Sequence, residues 1–236
     1  MIQVRDLHKS FDGMPVLKGI NLDIKNSETL VILGPSGQGK TVFIKTLVRL
    51  INPDHGNIHY DEKDILRFSR KELYRFQDRI AFVFQNSALL DFLSVQDNLR
   101  LFLVMHKTLL PKEVNHRVME ALHFVGLDDE VLDKFPEELS GGMRKRVAIA
   151  RAMIKRPNYI FYDEPTTGLD QSNADKVSEL INMLKKEISA TSIIVTHDIK
   201  LMRDVADRVA LLKEGNISFV GRRDEVSDQM LDFLYE

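Results

Sequence analysis

Short apolar runs with strand character alternate with stretches of helical spacing along most of this chain. Residues 2–7, 16–24 and 29–33 are rich in β-branched side chains and separated by turn signals such as Asp12-Gly13 and Lys25-Asn26, so each reads as a strand. Over 41–51 the apolar positions move to a helical period (Val42, Ile44, Leu47, Val48, Ile51) before Asn52, Pro53, Asp54 and Gly56 break the pattern. Residues 57–60 and 80–84 return to strand character, 86–156 are mostly helical in pattern, and 159–162, 193–196 and 208–212 are again short apolar runs between helices. Apolar strands alternating with helices predict a parallel α/β sheet covered on both faces. The expected architecture is an α/β core with an antiparallel N-terminal β-subdomain and an inserted helical subdomain. As one domain over 1–236, it divides into a core of 1–85 and 157–221, a helical subdomain of 86–156 and a short tail of 222–236.

Composition narrows the classes. A chain of 236 residues, 44% hydrophobic, can bury one sizeable core. Its 33 Lys and Arg nearly balance 35 Asp and Glu, unlike the basic excess of a general nucleic-acid binder. With no cysteine, disulfides, thiolate metal sites and cysteine nucleophiles are excluded, and a reducing compartment is expected. Arg5, Asp6, His8 and Lys9 interrupt any signal-like start, and Arg100 interrupts the apolar run at 99–105. A soluble chain is therefore expected.

Gly34-Pro35-Ser36-Gly37-Gln38-Gly39-Lys40-Thr41 lies between an expected strand and an expected helix, the context that G-x-x-x-x-G-K-[ST] requires of a phosphate loop. Gly34, Gly37 and Gly39 let the backbone wrap phosphate oxygens, and successive amides at the helix start supply donors and partial positive charge. Val42 continues that first turn. Lys40 can reach the terminal phosphates of ATP, and the Thr41 hydroxyl is placed to ligate Mg²⁺. The apolar run 159–162 ends in Asp163-Glu164. Carboxylates there sit where ligands bind in α/β sheets: Asp163 as an Mg²⁺ group and Glu164 to orient or deprotonate the attacking water. Read alone, the pair could also be a solvated strand end. Ser140 is a good N-cap for a helix through 155, and Ser140-Gly141-Gly142 offers a second anion-binding helix end. The basic run Arg144, Lys145, Arg146, Arg151, Lys155 and Arg156 is read as a solvated helix face rather than a nucleic-acid patch.

With Leu139-Ser140-Gly141-Gly142-Met143, the chain resembles an ATP-binding cassette (ABC) transporter nucleotide-binding subunit, a P-loop NTPase. The order is the family's: phosphate loop, Gln85 after an apolar strand, 139–143, Asp163-Glu164, Gly168-Leu169-Asp170 and Thr196-His197-Asp198. The resemblance implies an ATPase whose two copies pair head to tail, Ser140 and Gly142 of one closing on the γ-phosphate held by the other. It implies that Gln85 touches Mg²⁺ and senses the membrane partner, that His197 bonds the γ-phosphate, and that Asp170 links the two sites. Phe11 stands where the family often stacks an aromatic on adenine, with core packing as the rival reading. Met143 replaces the usual Gln and Gln171 a common Pro; neither removes a catalytic group.

The stretches 84–90 and 94–98, Leu73-Tyr74 and Met143 are similar to the Mce/Mla-type lipid-transport subgroup. That similarity implies an integral membrane permease meeting residues 87–101, a substrate-binding protein with an Mce domain and a STAS-domain protein. The chain would then sit on the cytoplasmic face of the inner membrane and energise movement of phospholipids or other hydrophobic molecules. An amino-acid-type importer subunit is the alternative. Translation or chromosome ATPases fit less well, because the chain carries neither a second cassette nor a long coiled coil.

Overall fold

The computed structural model describes residues 1–106 and 109–235; residues 107, 108 and 236, inside the expected helical span and tail, lie outside the described residues. The chain opens with β1 (Ile2–Phe11), β2 (Met14–Ile24) and β3 (Thr29–Leu33), followed by α1 (Lys40–Leu47), β4 (His55–Tyr60), β5 (Lys63–Asp64), α2 (Arg70–Gln77) and β6 (Ile80–Val83). Three helices come next: α3 (Val95–His106), α4 (Pro111–Phe124) and α5 (Gly141–Ile154). Then follow β7 (Tyr159–Asp163), α6 (Gln171–Ile188), β8 (Thr191–Thr196), α7 (Ile199–Val205), β9 (Arg208–Lys213), β10 (Asn216–Arg222) and α8 (Asp228–Tyr235).

A six-stranded sheet runs β10-β9-β3-β8-β7-β6, parallel except for β10, and a four-stranded antiparallel sheet runs β2-β1-β4-β5. Every residue of β3, β7 and β8 is buried, which explains why these strands read as unbroken apolar runs. Their side chains nonetheless alternate. Leu30, Ile32, Phe161 and Val195 join a core with α1 and the antiparallel sheet, whereas Val31, Leu33, Tyr162 and Ile194 join the core under α3 to α7. The main sheet is thus the middle layer of three.

The parallel register sets the strand ends level: Leu33 pairs with Thr196, Asp163 with Val195, and Val83 with Tyr162. The phosphate loop, the acidic pair, the His197 turn and Gln85 therefore emerge along one edge of the sheet, where ligands bind in open α/β folds.

Several elements depart from expectation. The first helix ends at Leu47 rather than 51, because Arg49 adopts a left-handed φ of 57° and the Leu50 and Ile51 amides turn back to Lys45 O at 2.9 and 3.3 Å. Helix α2 was not expected. It is closed by a Ser69–Glu72 capping box, with Ser69 N donating to Glu72 Oε2 at 2.8 Å and Glu72 N to Ser69 Oγ at 3.4 Å. The stretch beyond Gly221 holds α8, whose Leu231 and Leu234 are buried. No helix among the described residues is long and apolar enough to cross a membrane.

Candidate functional site

The turn after β3 passes so close to β9 that a Cβ on Gly34 would lie 2.2 Å from Leu212 O. Gly37 and Gly39 hold φ of +83° and +92°, backbone that L side chains rarely adopt. The loop then enters α1 with Lys40 as its first residue. Lys40 is 5% exposed; its Nζ donates to Gly34 O at 2.8 Å and Pro35 O at 2.9 Å and lies 3.1 Å from Glu164 Oε1. Three acceptors thus fix a cation at the loop's mouth. An anionic phosphate oxygen can compete for it more strongly than neutral carbonyls can.

Glu164 is held by its surroundings in a left-handed conformation, φ 47°. Its amide donates to Val195 O at 2.9 Å. Its Oε2 accepts from Thr196 Oγ1 (3.2 Å), His197 N (3.3 Å) and His197 Nδ1 (2.9 Å). An ionised carboxylate only accepts hydrogen bonds, so this contact keeps a proton on His197 Nδ1. The neighbouring Asp163 accepts from Thr41 Oγ1 at 2.8 Å, and burial raises its pKa against the lowering effect of that hydroxyl. A hydroxyl and a desolvated carboxylate are hard oxygen donors; Thr41 and Gln85 line one cavity, and Asp163 stands behind Thr41, outside the lining. This donor set fits Mg²⁺.

The cavity has a volume of about 470 Å³; Ser36, Gly37, Gly39, Lys40, Thr41, Val42, Gln85, Glu164 and His197 line it, together with Val16 and Thr167. The fold therefore brings together most residues singled out from the sequence. Phe11 is not among the lining residues; it is 44% exposed at the end of β1, and the Lys9 ammonium sits 5.2 Å above its ring. Ser140, Gly141, Gly142 and Asp170 form a second constellation that does not line this cavity. Ser140 Oγ caps α5 by accepting from Met143 N at 3.2 Å, and Asp170 caps α6 by accepting from Asn173 N at 2.9 Å. A Cβ on Gly142 would meet Asn173 Oδ1 at 2.5 Å, so the two helix starts are packed against each other.

Of the basic run only Arg156 is solvated as expected; the other five cations turn inward to carbonyls. Arg144 donates to Leu139 O at 2.6 Å, Arg146 to Gly126 O at 2.7 Å, Arg151 to Ser87 O and Ala88 O at 2.9 and 2.7 Å, and Lys155 to Gln77 O at 2.7 Å. Lys145 is the extreme case. It is 4% exposed, and its ammonium donates to Gln85 O and reaches Phe84 O and Glu164 O at 3.5 and 3.4 Å. Burial lowers its pKa to about 8, opposed by Asp163 and Glu164. Helix α5 is tied by these cations to loop carbonyls, because buried main-chain acceptors need partners.

Two residues at the site escaped the sequence. Lys145 looked like one cation among several; its position on the stripe of Gly142, Ile149 and Ala152, all buried, was the available signal. Tyr235 gave no sequence signal. Its hydroxyl donates to His197 O at 2.7 Å, and burial pushes its pKa up to about 12, aided by Glu164 and Asp198.

The profile of the ABC transporter family matches residues 17–167. A probable ribonucleotide transport ATP-binding protein, mkl, of Mycobacterium leprae is 40% identical over 94% of this chain and 64% of its own length; the chain thus spans less than two thirds of that relative. The lipoprotein-releasing system ATP-binding protein LolD of Bacteroides fragilis is 40% identical over 92% of this chain and 100% of its own length. Among solved structures, the dimeric post-hydrolysis state of the ATP-binding cassette MJ0796 with ADP and Pi superposes with a TM-score of 0.87. It is 31% identical and covers 94% of this chain and 99% of that one.

Proposed function

Because the chain belongs to the ABC transporter family and carries its ATP-binding ATPase cassette, we propose that it binds and hydrolyses ATP in the cavity around Lys40 to drive a membrane permease. One observation carries this reading: Lys40 Nζ and His197 Nδ1 converge on the two oxygens of Glu164, at 3.1 and 2.9 Å. Beside them Thr41 meets Asp163 at 2.8 Å. A cation for phosphate, a carboxylate for water and an oxygen pair for a metal share one mouth.

In this mechanism the amides of 36–41 and the Lys40 ammonium grip the β- and γ-phosphates. Thr41, Asp163 and Gln85 would hold Mg²⁺, which neutralises charge on the phosphate oxygens when bound. Once phosphate oxygens take over Lys40, Glu164 Oε1 is free to accept a hydrogen from water. The water oxygen bonds to the γ-phosphorus, the bond from that phosphorus to the β-bridging oxygen breaks, and the water's proton passes to Glu164. His197 and Thr196 keep Glu164 Oε2 anchored throughout, so the base does not have to be ordered at the moment of reaction.

The partner reading follows from surfaces away from this cavity. The helix start at Ser140-Gly141-Gly142 with Asp170 would cap the γ-phosphate in a second copy; the MJ0796 relative is dimeric, which supports a homodimer here. A cavity of about 410 Å³ includes Leu50, Phe82, Phe84, Ala88 and Phe102 in its walls, with Arg151 and Lys155 beside them. This apolar groove next to the 87–101 segment would receive a cytoplasmic helix of the permease. For the cargo, the motif similarity at 84–90, 94–98 and Met143 favours phospholipid or another hydrophobic molecule. Relatives named for ribonucleotide transport, lipoprotein release and L-cystine import show how far cargo varies on one cassette. An Mce-domain protein and a STAS-domain protein complete the proposed complex.

Lys40→Ala in the permease complex should lower ATP turnover by at least ~100-fold, the scale of losing a main charge-stabilising donor. Turnover near that of the wild type would refute the assignment. For cargo, vesicles reconstituted with the complete transporter should show ATP-dependent transfer of fluorescent phospholipid. Amino-acid uptake without lipid transfer would overturn that part alone.

A further inference from the structure

At the irregular stretch of β1, three potential metal ligands meet on the exposed side of the antiparallel sheet. His8 and His55 are directly paired across β1 and β4. Asp6 lies between them: its Oδ1 is 2.9 Å from His8 Nε2 and its Oδ2 is 3.2 Å from His55 Nδ1. The imidazole rings stand edge to face with centroids 5.8 Å apart, and one ligand atom from each of the three residues lies within 4.8 Å of the others.

The backbone is shaped to produce this meeting. Asp6 has a left-handed φ of 49°, and the pairing register slips here against both neighbours, between Val4 and Leu7 on the β2 side and between Arg5 and His8 on the β4 side. Asn21 Oδ1 accepts the Asp6 amide at 3.1 Å while its Nδ2 donates to Gly19 O at 3.0 Å. Glycines flank the group on both sides. A Cβ at Gly19 would press to 3.2 Å on both Asp6 Oδ1 and His8 Nε2, and one at Gly56 would lie 2.3 Å from Asp6 O. The nearby cations are committed elsewhere, Arg5 to Asp23 at 2.6 Å and Lys9 to Asp54 at 2.7 Å. Among the described residues, Asp6 forms its ion pairs with the two imidazoles.

We propose that Asp6, His8 and His55 form a binding site for a divalent transition-metal ion of the Zn²⁺ type. Two imidazole nitrogens and one carboxylate oxygen suit Zn²⁺, Ni²⁺ or Cu²⁺ and disfavour Mg²⁺, which prefers an all-oxygen shell. Tetrahedral Zn²⁺ with bonds near 2.0 Å needs ligand atoms about 3.3 Å apart. Side-chain rotation alone closes the remaining gap, since the His55 and Asp6 side chains are 72% and 59% exposed. Water completes the shell, and the ion clamps β1 to β4 at the slipped register. The site shares no residue with the ATP cavity and is tested separately from it.

The test is calorimetric titration of Zn²⁺ into the untagged, chelator-stripped full chain without nucleotide. One ion per chain is expected, with a rise in the thermal midpoint. His8→Ala and His55→Ala should each weaken binding tenfold or more and abolish that rise. His123→Ala, a histidine engaged with Asp129, should change neither. His8→Gln and His55→Gln repeat the test with polar side chains, and circular dichroism establishes that each variant is folded. No uptake by the wild type at about 100 µM Zn²⁺, or wild-type affinity in folded His8 and His55 variants, would overturn the proposal and leave Asp6 as a hydrogen-bond bridge between two imidazoles.

Discussion

An ammonium closed off from water among main-chain carbonyls is costly to keep charged, and Lys145 is the residue where that cost has a functional consequence. The charged amine has three hydrogens for Phe84 O, Gln85 O and Glu164 O; the neutral amine has two. Its folded pKa of about 8 lies below the ordinary 10.5. Between those values the unfolded chain holds the extra proton, so this group's contribution to stability rises as pH increases through that window. Activity should move the other way, because losing a donor loosens the tie between Gln85 and the carbonyl of Glu164. We expect ATP turnover of the transporter to fall above about pH 8. In Lys145→Arg, whose guanidinium stays charged, the alkaline limb should shift upward by about one pH unit or more. Superimposable profiles for wild type and Lys145→Arg would show that Lys145 does not set that limb. The helical stripe it shares with Gly142, Ile149 and Ala152 marks Lys145 as inward-facing, but only the three-dimensional position of the 84–85 turn gives it its partners.

Among the elements, the phosphate loop depends on contact with β9 as much as on its own glycines. Gly34→Ala would place a methyl 2.2 Å from the Leu212 carbonyl, and backbone on both sides must move. ATP affinity should drop by ~10-fold or more, since an ångström-scale shift of positioned groups carries penalties of this order or larger. Gly13→Ala, at a hairpin turn with φ +78° and no atom within 4 Å of the new Cβ, should affect stability without changing affinity. Equal effects on affinity in the two variants would contradict the packing argument.

The same scale explains what was legible in the sequence. Strands β3, β7 and β8 were visible because strands buried on both faces read as unbroken apolar runs. Thr41, Asp163, Glu164 and His197 were legible because each follows such a run, and parallel pairing sets those ends level. Helix α2 was hidden because Arg70, Lys71, Glu72 and Arg75 swamp its periodicity, with Phe76 its buried residue; the Ser69–Glu72 box was its signal. Strand β10 alternates exposed and half-buried residues without reaching full burial, a pattern too weak to separate from loop. Helix α8 is short and anchored by tertiary contacts, Leu231 and Leu234 in the core and Tyr235 on His197 O.

At the scale of the whole molecule, the two helix starts proposed to bind phosphate, at Lys40 and at Ser140, do not share a cavity. In the proposed homodimer a single triphosphate engages both when two copies meet head to tail, with nucleotide buried between them. In the proposed mechanism Glu164 activates water, so removing its charge should leave binding intact and stop the cycle with the pair closed. The most direct measurement is the mass and nucleotide content of Glu164→Gln in Mg·ATP, by light scattering on the eluted peak. The account predicts a dimer retaining unhydrolysed ATP, with Ser140→Arg in the same background returning it to monomer. A Glu164→Gln chain that remains monomeric, or that converts its bound ATP to ADP at the wild-type rate, would contradict it.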